Sequence, residues 1–274
     1  MERIAILGAT GWFGRTFLSL LSENNGESLL LISKSERRFT VGDRQWAAVK
    51  WNDALIAAWE PTVILNFAFA TRDLLNEMGH ESFIRENQSM LRNLEFVLAL
   101  PSVQAILSCA TGASLEANDI QTNPYGYLKK REEELVVSCG DRGVTTVVPR
   151  IYSVSGPWVA RPHSYALPSF VAQAKSGRVK VEANQPTFRS YTSVKDILDV
   201  GLRHIQLRHS ASFESGRERV EMRALAKRAV ELVNPAAEIE VATWITSEAS
   251  EYVSPTRRWK LAYEHVGVNP LSLD

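Results

Sequence analysis

The chain carries 31 lysines and arginines against 31 aspartates and glutamates in 274 residues. That balance excludes a basic nucleic-acid surface and a polybasic membrane anchor, and no apolar run reaches the roughly 18 residues that span a bilayer. Cys109 and Cys139 are the only cysteines and stand without metal-ligand spacing, so neither a disulfide framework nor a metal site is expected. The first apolar run begins almost at once, leaving no room for a signal peptide. The expectation is a cytoplasmic protein with a substantial core, in one large domain or two smaller ones.

The first half alternates short apolar runs with helical patterns. The runs predict strands over 4–7, 29–33, 63–67, 105–109 and 145–148, with helices over 15–22, 54–59, 83–100 and 125–139 between them. Such alternation gives an α/β fold, a doubly wound parallel sheet covered on both faces. After Arg150 the regularity loosens. Gly156, Pro157, Pro162, Pro168, Gly177 and Pro186 punctuate loops around a helix over 167–176, and further helices are read over 223–232 and 256–266.

At the first strand–helix junction the glycines recur every third residue, in Gly8-Ala-Thr-Gly11-Trp-Phe-Gly14. One glycine permits a tight bend, a second lets a pyrophosphate approach the backbone, and a third lets helix and strand pack closely. Phosphates would then lie on a helix N-terminus, where free N–H groups and the dipole favour negative charge. The spacing is GxxGxxG, related to the better-known GxGxxG turn. At the end of the second predicted strand stand Ser33, Lys34, Ser35 and Arg37, where an NAD site carries an acidic residue for the adenosine ribose. A carboxylate there would repel a 2′-phosphate, whereas these side chains suit one, so NADP is favoured over NAD.

Tyr125 and Lys129 are four residues apart on a helix that Pro124 helps to start. They therefore point the same way, one turn apart. The ammonium is expected to lower the tyrosine's pKa from its usual value of about 10 and fit it for acid–base work, and also to reach a ribose hydroxyl.

Together these features resemble the extended branch of the short-chain dehydrogenase/reductase family, whose members act on nucleotide-diphosphate sugars. The segment from Arg150 to Gly156-Pro157 is similar to the family's R-x-x-N-x-x-G-P element. The segment from Phe188 and Arg189 to Asp196 resembles R-D-(F/Y)-x-x-V-x-D, and Gly267 to Pro270 resembles the closing L-G-(F/W)-x-P. The resemblance implies a Rossmann-like dinucleotide-binding domain over 1–157 with about 189–212, and a substrate-binding region over 158–188 and 213–274. It implies cofactor contacts from Gly8, Thr10, Gly11, Trp12, Phe13, Gly14, Ser33, Lys34, Ser35, Arg37, Ala68 and Lys129. It further implies a hydroxyl partner for Tyr125, with Thr111 preferred and Ser108 the alternative.

On the substrate side the resemblance implies Arg189, matching an arginine that pairs with the diphosphate, together with Arg258 and Ser153. Ser153 replaces the family's asparagine, which removes a precise sugar contact. The stretch 158–169, with His163 and Tyr165, is the expected sugar-facing loop. Thr111 is followed by Gly112-Ala113 and not by the acid pair of the 4,6-dehydratases. The resulting expectation is an NADPH-dependent ketoreductase of a nucleotide-linked keto-sugar, or of another small carbonyl compound. The alternatives are an NAD-dependent nucleotide-sugar epimerase and a non-catalytic nucleotide-binding protein on the same fold. A homodimer is expected through the helices over 83–100 and 125–139, with Phe96, Val97, Leu135 and Val136 as surplus apolar positions.

Overall fold

Alternate residues of the first strand serve two different cores, and that period sets the layering. The structure, a computed structural model, describes residues 2–21 and 28–269. In β1 (Arg3–Leu7), Ile4 and Ile6 enter the cluster on one face of the sheet, while Ala5 and Leu7 enter the cluster on the other. The glycine turn leads into α1 (Trp12–Leu20), which starts three residues earlier than the apolar spacing predicts. Its predicted last residue, Ser22, lies outside the described residues. Then come β2 (Ser28–Ser33), β3 (Arg37–Val41), β4 (Arg44–Lys50), α2 (Asp53–Trp59), β5 (Val63–Asn66), a one-turn α3 (Leu75–Met78) and α4 (His80–Leu98). The first half closes with β6 (Ala105–Ser108), the short β7 (Ala110–Thr111), α5 (Pro124–Ser138) and β8 (Thr145–Ile151).

The β3–β4 hairpin was not expected. Arg37, Arg38 and Thr40 face solvent while Phe39 and Val41 are buried, an edge-strand pattern whose charges resemble a loop. Arg37 consequently opens an edge strand instead of belonging to the loop after β2, and it pairs in register with Ala48.

The second half continues with β9 (Ser153–Ser155), α6 (Ala166–Lys175), β10 (Arg178–Val181), β11 (Thr187–Ser193), α7 (Val194–Gln206) and β12 (Ala211–Ser215). After these come β13 (Glu218–Glu221), α8 (Met222–Val233), β14 (Glu238–Val241), β15 (Ser250–Tyr252) and α9 (Thr256–His265). The large sheet runs β12-β8-β6-β5-β1-β2-β4-β3, with β7 also pairing with β8. Its pairings are parallel except that of β3 with β4. It is a Rossmann-like doubly wound fold. β10 pairs with β14, and β11 joins β9, β13 and β15; with α6 and α8 these strands build a smaller lobe around its own core.

Two expectations bear on this packing. The division at 213 falls inside β12, which pairs with β8 in the large sheet, and Trp259 and Ala262 of α9 pack into the same core as Phe213. The stretch 213–269 is thus shared between the lobes. The apolar surplus invoked for a dimer is already covered: Val97 and Val136 are fully buried, with Phe96 and Leu135 packed against the same cluster. The outward faces of α4 and α5 show Arg85, Arg92, Glu95, Arg131 and Glu134, together with the exposed Val137. Both cysteines are buried and free, and burial pushes the Cys109 thiol up to about 12. Among the described residues no helix is long and apolar enough to cross a membrane.

The junction of α7 and α9 is a stack of imidazoles. His204 is buried, its Nε2 lies 3.2 Å from the Ala262 carbonyl, and its Nδ1 lies 2.8 Å from Nδ1 of His209. The His265 ring stacks on His209 at 4.1 Å. A carbonyl accepts only from N–H, so neutral His204 carries its proton on Nε2 and accepts from His209. Burial lowers the His204 pKa below the usual 6.5, and the nearby His209 and His265 act in the same direction. The unfolded chain therefore binds the proton first. His204 contributes stability that is present above about 6.5 and lost as pH falls through its lower folded value. Thermal melts across that window should show wild type losing Tm on acidification and His204→Gln losing distinctly less. Parallel losses in both proteins would show that another group carries the acid sensitivity.

Candidate active site

The glycine turn divides into two structural glycines and one open one. Gly8 has φ +78°, and a Cβ there would lie 2.8 Å from the Ala68 nitrogen. A Cβ on Gly14 would lie 2.5 Å from the Ala9 carbonyl oxygen, because α1 packs directly on the strand end. A Cβ on Gly11 would meet only the Gly8 oxygen, at 3.3 Å. The fold itself therefore demands Gly8 and Gly14, while Gly11 leaves backbone open to a ligand. Gly11 is also the N-cap of α1, with no side-chain cap and no acidic residue in the first turn, so the helix N–H groups remain available to an anion. Thr10 accepts from Arg15 Nε through its carbonyl at 3.0 Å. Phe13 packs on Phe67 at 5.6 Å, and Ala68 follows the end of β5 beside Gly8. Trp12 buries its Nε1 without a partner and meets Tyr165 edge-on at 5.5 Å. These residues fit the pyrophosphate of a dinucleotide.

At the end of β2, Ser33 is buried and donates to the Ser35 carbonyl at 2.5 Å. Lys34 is exposed and pairs with Glu86 at 2.7 Å, and Ser35 is exposed in the same turn. No acidic residue ends the strand; Glu36 is exposed two residues past Lys34.

The second cluster lies where β6, β7 and α5 meet. Asn123 caps α5 by accepting from the Gly126 N–H at 3.0 Å, and Pro124 occupies the first turn. Tyr125 lies edge-on to Phe69 at 5.9 Å. Thr111 hydrogen-bonds Tyr252 at 3.0 Å. Tyr252 further accepts from the Ala113 N–H at 3.1 Å and donates to the Ile151 carbonyl at 3.3 Å. Its ring packs at a tilt against Tyr152 at 4.8 Å, and Tyr152 covers Gly112 so closely that a Cβ there would be 2.5 Å from the ring. Ser108 sits apart from Tyr125. It is buried and donates to Glu132 at 2.9 Å.

Lys129 is buried and committed to the chain itself. Its Nζ donates to the Cys109 carbonyl at 2.8 Å and to Glu132 at 2.7 Å, and it lies 4.1 Å from the centre of the Phe69 ring. Tyr125 itself is half-buried. Its pKa is shifted above the usual phenol value, by desolvation first, with Tyr252 adding to the rise, Thr111 opposing it and Glu132 raising it again, the opposite direction from that expected of the lysine spacing.

On the substrate side, Arg189 donates to the carbonyls of Phe188 at 2.7 Å and Ser250 at 3.3 Å. Burial lowers its pKa. Among the described residues no carboxylate is in ion-pair contact with it, so a guanidinium remains for an anionic ligand. Ser153 opens β9 and pairs in register with Tyr191. Arg258 is instead used within the fold: it donates to the buried Glu214 at 2.7 Å, and Glu214 also binds Arg150 at 3.2 Å. The 158–169 loop reaches back to the large domain through Tyr165, which donates to Asp73 at 3.4 Å, and through Arg161, which pairs with Glu77 at 2.7 Å. His163 lines a cavity of about 450 Å³ in the smaller lobe, with Phe170, Lys180, Glu182 and Met222; Tyr125 and Lys129 are not in its wall.

Sequence reasoning missed Glu132, Asn66, Phe69 and Tyr252. Glu132 was legible in principle, because it stands three residues after Lys129 and seven after Tyr125, on one helix face. Tyr252 lies on a short strand far downstream, where nothing local marks it.

A family model described as the NAD dependent epimerase/dehydratase family matches residues 4–215. No curated protein matches the chain by sequence. Among solved structures, it is similar to a UDP-glucose 4-epimerase from Thermotoga maritima, determined with UDP-glucose, at 18% identity and TM-score 0.76, covering 99% of this chain and 95% of that one. It is similar to a UDP-N-acetylglucosamine 4-epimerase from Methanobrevibacter ruminantium at 11% identity and TM-score 0.79, covering 98% and 93%. It is also similar to RMD from Pseudomonas aeruginosa, complexed with NADPH, at 16% identity and TM-score 0.73, covering 99% and 94%. At these identities the likeness is one of fold.

The two kinds of glycine should separate experimentally. Gly14→Ala forces a backbone overlap and should lower stability by about 1–3 kcal/mol. Gly11→Val should cost about 1 kcal/mol or less in thermal unfolding, as a substituted cap. The same variant should weaken NADPH binding at least about tenfold in a fluorescence titration, since one lost contact of about 1.4 kcal/mol is already that much. Wild-type affinity in a folded Gly11→Val protein would mean that the dinucleotide does not cross this turn.

Proposed function

The chain belongs to the NAD dependent epimerase/dehydratase family, and on that premise we propose that it is an NADPH-dependent ketoreductase of a nucleotide-diphosphate-linked keto-sugar. It is an enzyme of the extended short-chain dehydrogenase/reductase type, and the proposal concerns which reaction of that type it runs. The observation that carries the reading is the placement of Tyr125 on the first turn of α5, edge-on to Phe69 and beside the Thr111 hydroxyl that Tyr252 holds at 3.0 Å. A protonated tyrosine is a proton donor; taking a proton from an alcohol requires the phenolate. When bound, the reduced nicotinamide supplies the hydride. Tyr125 gives its proton to the carbonyl oxygen as that oxygen gains charge, and regains one from solvent. Thr111, held by Tyr252, orients the same oxygen.

The choice of NADP is supported by Ser33, Lys34 and Ser35 at a strand end with no acidic residue of its own, where a 2′-phosphate would compete with Glu86 for Lys34. Arg37, now on β3, is exposed one residue beyond that turn. Elimination chemistry is disfavoured by Gly112 and Ala113 after Thr111, where no acid or base side chain stands. Arg189, free of carboxylate partners, is the candidate for the diphosphate, and Ser153 lies on the adjoining strand.

Tyr125→Phe should keep the fold and NADPH affinity while lowering turnover of a nucleotide keto-sugar about 10²–10⁴-fold, the range for lost general acid catalysis. Tyr127→Phe, two residues along the helix, should leave turnover near wild type. Loss in Tyr127→Phe with retention in Tyr125→Phe would move the site to another register. Cofactor choice is read independently. Purified protein should bind NADPH more tightly than NADH, and Ser33→Asp should reverse the order. Tightly copurifying NAD with no NADPH preference would favour the epimerase reaction instead.

A further inference from the structure

A lysine has three N–H donors on one tetrahedral nitrogen, and around Lys129 the chain itself occupies that space. Nζ donates to the Cys109 carbonyl at 2.8 Å and to Glu132 Oε2 at 2.7 Å, and it lies 4.1 Å from the centre of the Phe69 ring. Lys129 is 6% exposed and Glu132 2%. The carboxylate is fixed in turn through its other oxygen, where Oε1 accepts from Asn66 Nδ2 at 2.6 Å and from Ser108 Oγ at 2.9 Å. Asn66 also donates to Ser108 at 2.9 Å. These two residues end β5 and β6 and pair with each other in register. Two sheet strands therefore hold the carboxylate, and the carboxylate holds the lysine.

We propose that Glu132 is a positioning residue that withholds Lys129 from the nicotinamide ribose, so that this chain holds its dinucleotide mainly by the adenosine and pyrophosphate half. This rests on the reading of the chain as a reductase whose dinucleotide crosses the turn at Gly11. The spacing of Tyr125 and Lys129 alone would give an ammonium that reaches a ribose hydroxyl. Glu132 competes for the same donor. A carboxylate meets the charge of the ammonium as well as its N–H, whereas a neutral hydroxyl meets only the N–H, so the ribose does not displace it. Nor does the lysine leave the pair, because that would strand a buried carboxylate without its countercharge.

A purely structural role does not account for the pair. A buried ion pair contributes little stability beyond what packed apolar side chains of the same size would give. The anchors of Glu132 also stand at the strand ends, the edge at which an open parallel sheet takes its ligands. The consequence suits the proposed reduction. A reductase exchanges its dinucleotide in every turnover, and a nicotinamide half without the lysine bond leaves more readily. An enzyme that retains its dinucleotide from one turnover to the next is served by the opposite arrangement.

The test is a binding measurement without substrate. Calorimetry compares NADPH with adenosine 2′,5′-bisphosphate, which carries the 2′-phosphate but no nicotinamide ribose. Glu132→Gln keeps an acceptor oxygen for Asn66 and Ser108 and turns N–H donors toward Lys129, which frees one donor of the ammonium. Folded Glu132→Gln should bind NADPH about tenfold more tightly than wild type, the scale of one hydrogen bond from a charged donor, with its affinity for the bisphosphate unchanged. The Lys129→Met/Glu132→Gln double variant should lose that gain. A folded Glu132→Gln protein that binds NADPH no more tightly than wild type, that gains equally for both ligands, or that keeps the gain in the double variant overturns the inference. Should Glu132→Gln fail to fold, wild type decides. A preference for NADPH over the bisphosphate below about a hundredfold supports a weakly held nicotinamide half, and a larger one overturns the proposal. Wild type that binds neither ligand would instead overturn the dinucleotide reading itself, and the inference with it.

Discussion

Burial of the large sheet on both faces is the constraint from which the site follows. β1, β5 and β6 send alternate residues into two apolar clusters, so no polar side chain is tolerated along their length without a partner. Polar chemistry is displaced to where the strands stop. Ser33, Asn66, Ser108 and Thr111 are the last residues of β2, β5, β6 and β7. The turn after β1 and the first turns of α5 open at the same edge. An open parallel sheet binds its ligands there because that edge alone combines rigid support, free backbone N–H groups and access to solvent.

The smaller lobe is a participant in this edge and not an appendage. β11 pairs with β9, which follows directly from the large sheet's β8, and with β15, which carries Tyr252 to Thr111. Across the mouth, Tyr165 packs on Trp12 of the glycine turn and donates to Asp73. Thr111 and the glycine turn are thus each in contact with a residue from the smaller lobe. Tyr252 ties the two lobes together at this edge, its hydroxyl bonding the Thr111 side chain and two backbone groups.

Much of this was legible in the sequence, for identifiable reasons. The buried strands are short apolar runs bounded by turn residues, and the long helices have clean starts, such as Asn123 and Pro124 before Tyr125. GxxGxxG and YxxxK fix the relative placement of their residues by local spacing alone. What escaped depends on tertiary context. The β3–β4 hairpin presents its charges outward and reads as loop, and β12 and α9 join the large sheet's layer from far along the chain. Phe96, Val97, Leu135 and Val136 looked like surplus because a sequence does not reveal how much of a sheet face each helix covers. Tyr125 and Lys129 were placed on one helix face by their spacing. Their electrostatics were not, since these are set by Glu132, by two strand-end side chains and by burial.

That last difference has a physical logic. A tyrosine and a lysine one turn apart specify a geometry, not a direction of proton transfer. The direction depends on the net charge and solvation around the phenol, quantities assembled from several elements at once. Here the ammonium of the motif is held by a carboxylate that is itself fixed to the ends of two sheet strands, so the lysine's setting is made by the sheet and not by the helix spacing.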